Sequence, residues 1–130
     1  MHEMNIRENP NVNVGRYFFY RATYFCKLGK YEEALNDFTE SINVSPNNYS
    51  RVMYAHAIRG GILIEQKLYE RAMIEFTKAL KIAPYIDFEH FSLKNKLLSI
   101  WDVKRMTARC KNAIKKCERI LNYCKAKPLK

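Results

Sequence analysis

A chain of 130 residues has room for one compact domain, and a hydrophobic content of 48% is ordinary for a folded globular protein. No apolar run reaches the ~18 residues of a membrane span, and the opening MHEMNIRENP lacks the basic-then-apolar layout of a signal peptide, so a cytoplasmic protein with reduced thiols is expected. The net charge of +10 is uneven: acidic and basic residues balance over residues 1–93, and the whole excess lies in residues 94–130.

In chain order, residues 1–12 are expected to form an N-terminal extension, within which ENPNVN reads either as the closing tail of a further helical unit or as a flexible segment. Tyr17 to Lys27 has helical character and is followed by Gly29, where a chain reversal with positive φ is easily accommodated. Residues 28–46, LGKYEEALNDFTESINVSP, then align without a gap with residues 66–84, QKLYERAMIEFTKALKIAP, at a constant offset of 38. Tyr31 matches Tyr69, Ala34 matches Ala72, Phe38 matches Phe76 and Pro46 matches Pro84.

In the second copy Tyr69, Ala72, Met73, Phe76, Ala79 and Leu80 recur at the spacing of one helix face. The proline closes each copy, because it cannot continue the hydrogen-bond ladder. Tyr54 to Gln66 supplies a helix before the second copy, as Tyr17 to Lys27 does before the first. The repeated unit is therefore a helical hairpin.

These residues resemble the tetratricopeptide repeat, whose pattern places large and small side chains at fixed points over about 34 residues. Phe18, Arg21, Ala22 and Phe25, then Ala34, Phe38 and Pro46, occupy those points in the first copy. His56, Arg59, Gly60 and Leu63, then Ala72, Phe76 and Pro84, do so in the second. The small residues let two helices approach and the large ones fill the space beside them. The departures are Arg21 and Arg59 where leucine is usual, His56 in an aromatic slot, and Tyr49 to Val52 inserted between the copies.

A third copy is expected near the end of the chain. LKNKLLSIWDVKR supplies its first helix, with Leu97, Ile100 and Trp101 at packing spacing, and TARCKNAIKKCERILNYC its second, with Cys110, Ala113 and Cys117 in the slots of Tyr69, Ala72 and Phe76. The expectation is an all-α domain over residues 13–126, with repeats at 13–48, 49–86 and 87–126 and a tail at 127–130. The resemblance implies a right-handed α-α superhelix.

Cys110, Cys117 and Cys124 sit seven residues apart, about 10 Å along a helix, whereas two thiolates on one zinc lie within about 4 Å. They are read as part of an apolar stripe, with no metal and no cofactor. His2, His56 and His90 are scattered, no nucleophile motif accompanies them and Gly60-Gly61 sits inside a helical pattern, so no enzyme is expected.

Two surfaces remain as binding candidates. The resemblance places a concave groove on the first helices, with Arg16, Phe19, Tyr20, Thr23, Tyr54, Ile58 and Leu98 lining it, and implies a protein partner: a helix or an extended segment held by hydrophobic anchors. On the last helix Arg109, Lys111, Lys115, Lys116 and Arg119 form a basic face that either solvates the end of the stack or holds an anionic partner such as an acidic protein segment, RNA or a membrane surface. Self-association, or a place in a longer repeat array, is a third expectation.

Overall fold

Gly29 adopts a φ of 74°, and the chain turns there. The Lys30 amide donates to the Phe25 carbonyl at 2.9 Å and the Gly29 amide to the Cys26 carbonyl at 3.0 Å, the paired bonds of a Schellman cap. That cap ends α1 (Pro10–Lys27) and α2 (Tyr31–Val44) begins directly after it. Lys67 lies 38 residues on from Gly29 and repeats the turn, with a φ of 64° and bonds from Leu68 to Leu63 and from Lys67 to Ile64. It joins α3 (Tyr49–Glu65) to α4 (Tyr69–Ile82). A short 3-10 turn, Ala83–Tyr85, follows and contains Pro84. The final element is α5 (Leu93–Ala126).

This computed structural model describes residues 10–88 and 93–126, with side chains from 13 to 88 and from 100 to 126. Among the described residues the chain is all-α, and the two hairpins sit where the repeat predicts them. The chain divides into two compact units, one ending at Ala55 and one starting at His56.

In the first unit α1 and α2 pack antiparallel. Ser41 donates its hydroxyl to the Gly15 carbonyl at 2.8 Å, and Phe19 meets Phe38 edge-to-face with ring centroids 5.7 Å apart. Ala22, Ala34 and Phe38 are wholly buried there. Phe38 is the large side chain and the two alanines are the small ones, so volume is exchanged between facing positions rather than added.

In the second unit Gly60 performs the role of Ala22 under greater constraint. A Cβ on Gly60 would lie 2.7 Å from the edge of the Phe76 ring, so the ring and the backbone are already in contact. Ala72, Phe76 and Ala79 of α4 are buried, as are Ile62 and Leu63 of α3. The apolar side of α5 packs on α4. Among its described side chains Cys110 and Cys117 are buried, 1% and 0% exposed.

Three expectations are corrected. Residues 93–126 form one uninterrupted helix rather than the two helices of a third hairpin. The expected break, at Met106 between Arg105 and Thr107, contains no glycine and no proline. Nothing there offsets the cost of interrupting a helix whose propensity is already good. Trp101, expected at a packing position, is 61% exposed, and Cys124 is exposed instead of continuing the inward stripe of Cys110 and Cys117.

The inserted residues Tyr49 to Val52 are the first turn of α3, so the insertion lengthens a helix. Likewise α1 starts at Pro10, a residue suited to a first helical turn because its missing N–H has no partner there. Residues 1–9 of the expected extension, the tail at 127–130, His2 and His90 lie outside the described residues, as do the side chains of Leu97 and Leu98.

Candidate partner-binding surface

Arg21 and Arg59, the two arginines in slots where leucine is usual, are each matched by an acidic residue sixteen positions later. Arg21 Nε lies 2.6 Å and its Nη2 2.9 Å from the two carboxylate oxygens of Asp37, which is buried. Its Nη1 also donates to the Tyr17 hydroxyl at 3.0 Å. The guanidinium stands 5.2 Å from the Tyr17 ring centroid and 5.6 Å from that of Phe18, within the range of a cation–π contact. These bonds, led by those to Asp37, raise its pKa further above the ordinary arginine value.

In the second copy Arg59 Nη2 lies 3.3 Å from Glu75, and Glu75 also holds His56 through a 2.8 Å contact to Nδ1. Burial pushes the Glu75 carboxyl up, but the His56 hydrogen bond and the Arg59 charge outweigh it and hold the pKa below the ordinary value. The three departures in residue type, Arg21, Arg59 and His56, thus answer buried acids on the second helix of their own hairpin. The sequence signal was available in the identical Arg-to-acid spacing of the two copies.

The paired Arg21 leaves an aromatic face outside it. Asn13, Arg16, Tyr17, Tyr20, Arg21 and Tyr24 line an open hollow of about 510 Å³ along α1. Tyr20, 62% exposed, also belongs to a second hollow of about 210 Å³ formed with Phe19, Asn48, Ser50, Arg51 and Tyr54 at the start of α3. There the Asn48 side chain accepts from the Arg51 amide at 3.3 Å, capping the helix. Arg51 is less basic than an ordinary arginine, first because it is partly buried and second because the charge of Arg16 is near.

Five expected groove residues therefore lie in the first unit. Phe19, Tyr20 and Tyr54 share one hollow, Arg16 joins Tyr20 in the other, and Thr23 lies apart from both. Thr23 donates its hydroxyl to the Tyr20 carbonyl of its own helix at 2.7 Å. Ile58 is half-buried on α3. Sequence reasoning missed Asn48, Ser50 and Arg51, because the helix start at Tyr49 was taken for an insertion, and it left Asn13, Tyr17, Arg21 and Tyr24 of the first hollow outside the groove.

The basic residues Arg109, Lys111, Lys115, Lys116 and Arg119 are all exposed on α5. Burial raises the Cys117 thiol and pushes that of Cys110 up to about 11, so both are poor nucleophiles at neutral pH. Among the described residues no group of three His, Cys, Asp or Glu side chains could hold a metal ion, and no helix is long and apolar enough to cross a membrane.

Two successive hairpins with the same small-residue contacts, caps and ion pairs define a helical repeat protein. Family models for the tetratricopeptide repeat match residues 15–48 and 54–86, just over half of the chain. The chain belongs to the tetratricopeptide repeat family, whose repeats generally mediate protein–protein interaction or scaffolding. No curated protein and no solved structure matches it significantly.

Proposed function

We propose that the protein is a non-catalytic interaction module that holds a segment of a partner protein against α1 and the start of α3, with Phe19, Tyr20 and Tyr54 as apolar anchors and Arg16 as a charged contact. The observation that carries this reading is the position of Tyr20, exposed and shared by two hollows whose lining is mostly aromatic and arginine side chains, joined by Asn13 in one and by Asn48 and Ser50 in the other. Exposed aromatics that lose little rotamer freedom are effective anchors when a partner covers them. The nearness of Arg16 to Arg51 favours a partner that brings a carboxylate to that spot, since a negative charge there relieves the repulsion between them.

The test is affinity capture at two salt concentrations by the wild type and a Tyr20→Ala, Tyr54→Ala double variant. The expected result is a partner retained by the wild type at about 0.5 M salt, where exposed charge pairs are screened, and lost from the variant. Equal capture by both proteins, with helix content by circular dichroism unchanged, defeats the proposal.

A further inference from the structure

The exposed side of α5 carries more than a solvating face requires. With Cys110 and Cys117 marking its buried line, a ~100° step per residue places Trp101, Arg105, Asn112, Arg119 and Tyr123 directly opposite. Lys104, Arg109, Lys115 and Lys116 flank them, and all nine are exposed. The two acidic residues of the helix, Asp102 and Glu118, fall at the edges of this face. Lys104, Arg105, Arg109, Lys115, Lys116 and Arg119 are thus six cations on one side of the helix, and none forms an ion pair with a described residue.

Six charges over residues 104–119 amount to about one per 4 Å of helix, near the ~3.4 Å per phosphate along one strand of a nucleic acid. A basic cap needs neither this density nor a single sign. The aromatic residues add chemistry that a charged cap does not need. Trp101 is 61% exposed and Arg105 stacks on it with the guanidinium carbon 4.2 Å from a ring centroid.

We propose that this face of α5 binds single-stranded nucleic acid, with the six cations along the phosphates and Trp101 stacking on an unpaired base. A flat indole backed by a guanidinium is a stacking platform that any base can use. An acidic protein helix would find no continuous apolar centre here to seat its anchors, because Arg105, Asn112 and Arg119 separate Trp101 from Tyr123 along the middle of the face. A membrane would find no apolar face to insert, because the apolar side of α5 is packed on α4.

Trp101 is the sole tryptophan of the chain, so its emission reports on the site directly. The full chain is titrated with a 20-nucleotide oligouridylate, a 20-base-pair duplex, polyglutamate and phosphatidylserine vesicles. The expected result is quenching of Trp101 by the single strand, with affinity falling about 300-fold between 50 and 200 mM salt if six phosphates are neutralised. By anisotropy of a labelled oligonucleotide, Trp101→Ala should weaken binding about tenfold, and Lys115→Glu with Arg119→Glu should abolish it, while Tyr20→Ala with Tyr54→Ala leaves it unchanged. The proposal is overturned by the absence of single-strand binding at 50 mM salt, by binding that leaves Trp101 emission unchanged, or by equal or tighter binding of the duplex, polyglutamate or vesicles. Because Trp101, Lys115, Arg119 and Tyr20 are exposed and Tyr54 is half-buried, circular dichroism of each variant is compared with the wild type and should match it.

Discussion

Arg21 Nε and Nη2 grip the two oxygens of Asp37 at 2.6 and 2.9 Å, a fork-to-fork pair that bridges α1 and α2. The same connection recurs as Arg59 to Glu75 in the next hairpin, with His56 as an additional partner. Each hairpin is therefore joined by a charged contact at a place where the family pattern puts leucine. Bidentate geometry and a buried acid make such a contact directional in a way that leucine packing is not.

Glu75 is the member whose loss should be most visible. Glu75→Gln removes the charge facing Arg59, whose Nε is already buried without a partner, and should destabilise the fold by about 1–3 kcal/mol at neutral pH. Because the Glu75 pKa is depressed in the fold, its contribution is complete above the ordinary carboxylate value and is lost as pH falls through the lower, folded one. Urea unfolding of both proteins from pH 7 down to pH 3 should show a constant gap above about pH 5 that narrows below the ordinary glutamate value near pH 4.3. A gap that widens on acidification would contradict this assignment.

The two chain reversals invite a direct comparison. Lys67 holds a φ of 64° where the first hairpin has Gly29, and left-handed backbone costs a side-chain-bearing residue roughly 1–2 kcal/mol. Lys67→Gly should raise stability by about 0.5–1 kcal/mol after the greater entropy of glycine in the unfolded chain is allowed for. Gly29→Ala should lower it. Thermal melts of the two variants, run side by side, should move in opposite directions.

Adjacent glycines on α3 should also respond oppositely. Gly60 has the Phe76 ring 2.7 Å from the position of an added Cβ, whereas Gly61 has nothing within 4 Å. Gly60→Ala should therefore cost about 1–3 kcal/mol through overpacking. Gly61→Ala should gain up to about 1 kcal/mol from helix propensity. Equal shifts in the denaturation midpoint would remove the close contact as the reason for the first glycine.

Thiol labelling should separate the cysteines. Cys124 is exposed, Cys26 is half-buried with its thiol pushed up by burial, and Cys110 and Cys117 are shielded against α4. A chromogenic disulfide reagent should modify Cys124 within the mixing time and Cys26 more slowly. Cys110 and Cys117 should react only at the rate at which α5 opens. Rapid modification of all four in the native protein would mean that α5 is not packed as described.

Much of the fold was legible in the sequence because its signals are local and occur twice. The gapless alignment fixed the hairpins, Gly29 and the prolines fixed their ends, and the slots of Ala34, Phe38, Ala72 and Phe76 fixed the core. The same register placed Cys110 and Cys117 on the buried side of α5, yet it also led to a turn that the residues around Met106 do not encode. A slot alignment reports which face is buried, but a break in a helix needs its own residues. Trp101 was misplaced because spacing cannot show that an arginine one turn later stacks on an exposed indole. The surface at Tyr20 was half legible: aromatic periodicity on α1 was visible, but the residues facing it depend on where α3 begins.

Helix α5 spans 34 residues and is gripped at Cys110 and Cys117, while Tyr123 to Ala126 are all exposed. Beyond Tyr123 the described last turn, Cys124 to Ala126, is exposed, and the end of a hydrogen-bond ladder frays at little cost. Amide exchange should thus rise along the helix beyond Cys117 while the hairpins stay protected. The terminus can order and disorder as an independent element, changing the reach of its charges without opening the repeat core.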